Sequence, residues 1–256
     1  MEQFTLKGKN IVITGASSGI GKVCAVECAK MGATVILLGR DTKRLKEVEG
    51  EIDALGTAGD YSSFSIDLSE NLEGLTDIID EAVQKHGKLS GFIHAAGIEK
   101  TMPIASMKAK DYENLFSVNV VSGLELAKIA SKKKYVADKA SFVYISSITA
   151  VIGRVGVVGY AATKGAIVAG ARSMALELAQ KGINVNVISP GTILTPMMVK
   201  YLDSIPEEEK AKRKEGFPLG LGAPEDVANT AIFLLSDAAK WITGQNIIVD
   251  GGYTAR

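Results

Sequence analysis

NIVITGASSGIGK (residues 10–22) is the stretch on which the fold turns. Its first five residues form an apolar, β-branched run of the kind that makes a strand buried on both faces. Gly15, Gly19 and Gly21 follow, and a helical pattern begins at once. Strand, glycine turn and helix start, in that order, build a pyrophosphate site. The glycines permit a tight turn and close backbone approach, and the free N–H groups and dipole of the helix N-terminus favour an anion. Ser17, Ser18 and Ile20 bring further amides and hydroxyls to the same loop.

Six more strand-like runs lie outward of this one: TVILL (34–38), SFSID (63–67), GFIHA (91–95), SFVYIS (141–146), NVNVIS (184–189) and QNIIVD (245–250). Helical patterns separate them over about 21–30, 45–55, 72–85, 107–137, 160–180 and 224–235. The alternation predicts an α/β, Rossmann-like single domain over residues 1–256: a doubly wound, mostly parallel seven-stranded sheet with helices on both faces. Residues 192–222 are too long for an ordinary strand-to-helix connection and follow a strand's carboxyl end, which predicts a substrate lid.

Acidic and basic side chains balance at 29 each, so no net field draws the chain to nucleic acid or anionic lipid. No apolar run approaches the roughly 18 residues of a spanning helix, and MEQFTLKGKN lacks a signal-peptide core. These features point to a cytoplasmic protein acting on small molecules, with no nucleic-acid or membrane partner. Cys24 and Cys28 read as packing on one helix face, and with two histidines in the chain no metal centre is expected.

About 20 residues beyond a glycine loop, an acidic side chain selects a free ribose 2′-hydroxyl and an arginine a 2′-phosphate. Arg40 stands there, so NADP(H) is favoured. NAD(H) stays open because Asp41 follows directly. Tyr160 and Lys164, four apart at a helix start, share one face. A neighbouring ammonium favours phenolate and brings a phenol toward working pH. That spacing is common on helices, and the context gives it meaning: Ser147 ends a strand thirteen residues upstream, and Asn119 is an amide in an apolar helix.

With Thr14, the three glycines, Asp67, the HAAG segment from His94 to Gly97, Asn119, Ser147, Tyr160 with Lys164, and SPGTILT (189–195) in one order, the sequence resembles the short-chain dehydrogenase/reductase family along almost its whole length. The resemblance implies Tyr160 as general acid or base, with Lys164 lowering its pKa and holding the nicotinamide ribose. It implies Ser147 on the substrate oxygen and Asn119 in a water-linked relay to Lys164. Asp67, with Leu68 beside it, would meet the adenine. Ala95, Ala96 and Gly97 would line the adenosine half, and Pro190, Gly191, Ile193 and Thr195 the nicotinamide. A homotetramer or homodimer is also implied.

HAAG departs from the family's commoner pair of asparagines at 94 and 95, and His94 is expected to face the core or a sheet edge. The substrate pocket is expected to be mostly apolar, from Ile152, Val155, Val157, Val158, Met197, Met198 and Tyr201. Trp241 reads as packing. Lys132, Lys133 and Lys134 form a basic cluster that would suit an acyl carrier protein if the chain reduces a 3-oxoacyl thioester. Alcohol, sugar and steroid substrates, and a catalytically silent redox sensor, are the other readings.

Overall fold

The computed structural model describes residues 2–56 and 59–255. Seven strands, β1 (Asn10–Thr14), β2 (Thr34–Gly39), β3 (Tyr61–Ser65), β4 (Leu89–His94), β5 (Val136–Ile145), β6 (Ile183–Pro190) and β7 (Asn246–Val249), form one sheet in the order β3-β2-β1-β4-β5-β6-β7. Every neighbouring pair is parallel. The helices are α1 (Gly19–Lys30), α2 (Thr42–Asp53), α3 (Gly74–His86), α4 (Ala109–Phe116), α5 (Ser122–Ala130), α6 (Val158–Leu178), α7 (Pro196–Asp203), α8 (Glu207–Glu215) and α9 (Pro224–Leu235).

Alternate side chains of a strand leave on opposite faces, and the sheet uses both. Val12, Ile36, Phe92, Phe142 and Tyr144 join one core with residues of α3, α5 and α6. Ile11, Ile13, Val35, Leu37, Ile93 and Val143 join the other with α1, α2 and α9. Cys24 and Cys28 sit in this second core with their thiols pushed up by burial. No helix among the described residues is long and apolar enough to cross a membrane.

Three elements differ from the sequence reading. β3 starts two residues earlier than SFSID, because its register against β2 pairs Tyr61 with Val35 and leaves Asp67 beyond the strand end. The helix expected over 107–137 breaks at a π-turn, Ser117–Val121, and stops at Ala130. Val136 onward is recruited into β5 by pairing with β4 and β6, which overrides its local helical pattern. The stretch 192–222 contains two helices. Thr195 caps α7 by accepting from the Met198 N–H at 3.3 Å, with Pro196 at the first helical position. In α8 glutamates fill the first turn and basic residues the last, as the helix dipole favours.

Lys132, Lys133 and Lys134 lie in the turn before β5, at the amino ends of the strands. The carboxyl edge of the sheet is the length of β5 away, roughly 30 Å at about 3.3 Å per residue. Trp241 is 96% exposed and packs in neither core, contrary to its sequence reading.

Phe92 is fully buried, stacked on Phe142 at 4.3 Å and edge-on to Tyr144 at 5.3 Å. Phe92→Ala is expected to cost about 3–5 kcal/mol, read as a lower urea midpoint at unchanged slope.

Candidate active site

Strands added on the two sides of β1 run through opposite crossovers, so a crevice opens between the carboxyl ends of β1 and β4. It is a cleft of about 1190 Å³. Gly15, Ser17, Ser18, Gly19, Ile20, Gly21, Arg40, Asp67, Leu68, Ala95, Ala96, Gly97, Ser147, Tyr160, Lys164, Pro190, Gly191, Ile193 and Thr195 all line it. Asn119 alone among the expected site residues stands behind the wall.

The glycine loop explains the shape of the floor. Gly15 has φ +67°, and a Cβ there would come within 2.9 Å of the Ala96 backbone. A Cβ on Gly21 would lie 2.3 Å from the Gly15 carbonyl oxygen. The loop therefore lies directly on the 95–97 backbone, and the first amides of α1 carry no side-chain cap. Such a cradle fits a dinucleotide pyrophosphate.

Beyond β2, the Arg40 guanidinium pairs with Asp67 at 3.6 Å. Hydrogen bonds from Ser69, and then Arg40, hold the Asp67 carboxyl below the usual range. Asp41 also lines this end of the cleft; it caps α2, accepting from the Arg44 N–H at 3.1 Å, and its other oxygen lies 3.4 Å from Arg44 Nε. Arg44, absent from the sequence reading, joins Arg40, Ser17 and Ser18 around a recess at this end of the cleft. Its signal was the cap itself, Asp41 with a basic residue three positions on.

At the other end, α6 begins at Val158, so Tyr160 occupies its first turn and Lys164 the next. Ser147 caps a short turn after β5, accepting from the Thr149 N–H at 3.2 Å. Ser146 points away and donates to the Lys164 carbonyl at 2.9 Å. The Lys164 Nζ donates to the Ile145 carbonyl at 2.9 Å and stands 5.5 Å from the Tyr160 ring centroid. Burial brings Lys164 down to about 8, opposed by the Glu99 carboxylate.

The phenol behaves differently from the expectation of a pKa lowered by lysine. Burial, and then Glu99, push Tyr160 up to about 12, while the Ser147 hydroxyl and Arg154 pull the other way. With Lys164 near 8 and Tyr160 near 12, the amine gives up its proton before the phenol does, and no ammonium stands beside the phenolate as it forms.

Asn119 closes on the peptide groups of Ile98: its Oδ1 accepts from the N–H at 2.8 Å and its Nδ2 donates to the C=O at 2.9 Å. Nδ2 also donates to Thr163 Oγ1 at 3.0 Å, and Thr163 donates to the Tyr160 carbonyl at 2.7 Å. The side chain is a clamp between the β4 loop and α6, with no direct bond to Lys164. A Cβ on Gly97 would lie 3.4 Å from both Asn119 Oδ1 and Lys164 Nζ, so the two groups meet behind the same backbone.

The part of the cleft expected to take the substrate is less apolar than the sequence suggests. Ile152, Met197 and Met198 line it, whereas Val157 is fully buried and Val155, Val158 and Tyr201 lie outside the lining. Glu99, Arg154, Lys200 and Arg213 line it instead. These charges come from separate loops and helices, so no local pattern announced them.

A family model described as enoyl-(acyl carrier protein) reductase matches residues 15–254. The chain is 32% identical to the 3-oxoacyl-(acyl-carrier-protein) reductase of Thermotoga maritima over 248 residues, 96% of this chain and 98% of that one. It superposes on a 7α-hydroxysteroid dehydrogenase complexed with NADH and 7-oxo glycochenodeoxycholic acid with a TM-score of 0.90 and 32% identity, covering 98% of this chain and 96% of that one. A putative NAD(P)-dependent gluconate 5-dehydrogenase from Beutenbergia cavernae with bound NADP gives 0.91 and 32%, covering 99% and 100%. The chain belongs to the short-chain dehydrogenase/reductase family, whose members are NAD(P)-binding oxidoreductases acting on CH–OH and C=O groups.

Titrating the free protein tests the electrostatics. A lysine Cε resonance moving near pH 8, and missing in Lys164→Met, is expected by carbon-13 NMR. Folding lowers this pKa from its ordinary 10.5, so the penalty of holding the ammonium is complete below about pH 8 and fades as pH rises toward 10.5. Unfolding free energy of the wild type should therefore gain on the Lys164→Met variant across that window.

Proposed function

We propose that this protein is an NADPH-dependent ketone reductase, with a 3-oxoacyl thioester as its substrate class. The observation that carries the reading is the convergence of Ser147, Tyr160 and Lys164 on one cleft wall, opposite a glycine cradle at the carboxyl edge of a parallel sheet. Bound there, the nicotinamide supplies the hydride, and the chain orients the reactants and handles the proton. Ser147 positions the substrate oxygen, and Tyr160 donates its phenolic proton to that oxygen as the carbonyl becomes an alcohol. A phenol held near 12 keeps its proton at neutral pH, which suits the acid of a reduction. Lys164, lining the same wall, would hold the cofactor ribose beside it. Asn119 fixes the Ile98 backbone and, through Thr163, the first turn of α6.

Arg40 and Arg44 support NADP(H) over NAD(H). Two guanidiniums flank the recess next to Ser17 and Ser18; Asp41, which also lines it, is engaged as a helix cap, and Asp67 pairs with Arg40 from outside the recess. Residues 192–222 act as a lid in this reading, with Met197 and Met198 facing the cleft. The thioester assignment draws on the Thermotoga maritima relative. The exposed apolar Leu176 and Trp241, 81% and 96% accessible, suit burial in a homotetramer or homodimer. Balanced charge and free cysteines suit the cytoplasm.

A panel containing a 3-oxoacyl thioester, a simple ketone, an oxosteroid and a ketosugar, run with NADPH and NADH in parallel, tests the assignment. Highest kcat/KM on the thioester with NADPH is expected; turnover confined to sugars or steroids would overturn the substrate class. Tyr160→Phe should lose about 1,000-fold or more in kcat, within the range general acid catalysis commands, with NADPH binding retained. Unchanged function in that variant would instead mark a redox sensor. Arg40→Ala and Arg44→Ala should each raise KM for NADPH about tenfold and leave NADH nearly unchanged. Equal effects on both cofactors would remove the NADP(H) preference.

A further inference from the structure

Thr14, His94 and Tyr144 stand in register across β1, β4 and β5, at the carboxyl end of the sheet. They share the parity of Val12, Phe92 and Phe142, so all three face the broken helix formed by α4, the π-turn and α5. There the Ser122 N–H reaches back five residues to the Ser117 carbonyl, and the Ser122 hydroxyl donates to the Val118 carbonyl at 2.6 Å.

His94 is 2% exposed, with Nδ1 2.9 Å from Thr14 Oγ1 and Nε2 3.4 Å from Ser122 Oγ. Since Ser122 spends its hydrogen on Val118, its oxygen accepts, and His94 carries its proton on Nε2. Nδ1 then accepts from the Thr14 hydroxyl, whose oxygen accepts the Ala96 N–H at 3.1 Å. One chain of donors and acceptors therefore runs from the cofactor wall at Ala96, through the imidazole, to the π-turn. Burial, reinforced by Lys164, holds His94 down at about 3, so the ring stays neutral. The fit is steric as well. A Cβ at Gly123 would lie 2.8 Å from His94 Cδ2 and 2.9 Å from Tyr144 Cε1, and the Tyr144 hydroxyl donates to the Gly123 carbonyl at 3.0 Å.

We infer that His94 is a positioning residue: its neutral imidazole locks the π-turn to the β4 loop and so aims the Asn119 amide at the Ile98 backbone. Both ends of that clamp depend on it, since Ile98 follows the Ala96 wall and Asn119 is the middle residue of the π-turn. An asparagine at 94 is too short to span Thr14 and Ser122 together, so this chain has its own link at the position. The inference rests on the reading of Tyr160, Lys164 and Ser147 as the reaction centre.

The variants are His94→Leu, His94→Gln and Ser122→Ala, with NADPH present. Their readouts are amide hydrogen exchange at Ile98, melting temperature, and kcat and KM on the panel ketone of highest turnover. Glutamine keeps an N–H donor at similar reach. Exchange at Ile98 should quicken about tenfold or more, and kcat fall about tenfold with KM for NADPH unchanged, in His94→Leu and in Ser122→Ala. His94→Gln should stay within about threefold of wild type. If His94→Leu does not fold, Ser122→Ala decides. Lower melting temperature with unchanged Ile98 exchange and kcat would reduce His94 to a core residue and overturn the inference. Turnover surviving Tyr160→Phe, or absent from the whole panel, would instead defeat the proposed reaction centre, and Ile98 exchange would still decide the role of His94.

Discussion

All seven strands run the same way, and this one constraint shapes everything above them. A parallel sheet covered on both faces pairs its backbone groups internally and buries both sets of side chains, leaving its ends as the places where loops are free to diverge. Its carboxyl edge gathers the βα turns, among them the glycine loop after β1, Ala95 to Ile98 after β4, Ser147 after β5 and Gly191 after β6. Residues spread over more than 170 positions become neighbours because each directly follows a strand end. Mutual register between strands then places them to within an atom's width, as the contact of Gly15 with Ala96 illustrates.

Electrostatically, the Tyr160 and Lys164 end of the cleft sets two buried groups against their usual preferences. Removal from water favours the neutral forms, so the phenol rises and the amine falls. Beside burial, Glu99 raises both groups, while the Ser147 hydroxyl and Arg154 pull the phenol back down. Proton affinity at Tyr160 is thus distributed over several elements. Lys164 lines the cleft while its Nζ donates to the Ile145 carbonyl at 2.9 Å.

Much of this was readable in the sequence because the signals were local. A buried parallel strand is a short β-branched run, a phosphate loop is a spacing of glycines, and the stretch from Ser147 to Lys164 is one turn and one helix start. Where contacts between distant segments decide, the sequence pattern failed. The π-turn at Asn119 arises in SVNVV, which carries no Pro or Gly to mark it, and Val136 to Ala140 join β5 because β4 and β6 offer partners. The charged substrate end was missed for the same reason: Glu99, Arg154 and Arg213 are unremarkable where they stand and meet only in three dimensions. In contrast, α7 and α8 were available to a closer reading, through Thr195-Pro196 and the charge order of EEEKAKRKE.

Ile193 and Gly222 form an isolated parallel bridge, and the Leu194 N–H donates to the Gly222 carbonyl while the Gly222 N–H returns to Thr192. The two ends of the excursion are thereby fastened to each other before α9 resumes the regular pattern. Within it, α7 and α8 hold together through Arg213, which stacks on the Tyr201 ring at 4.8 Å and donates to its hydroxyl at 2.8 Å. Its far end is also tied to the C-terminal segment, where the Leu219 N–H donates to the Gly251 carbonyl at 3.1 Å and the Phe217 ring lies 4.5 Å from that of Tyr253. Length between the joined ends is cheap to change: doubling it adds only about 0.6 kcal/mol of closure entropy.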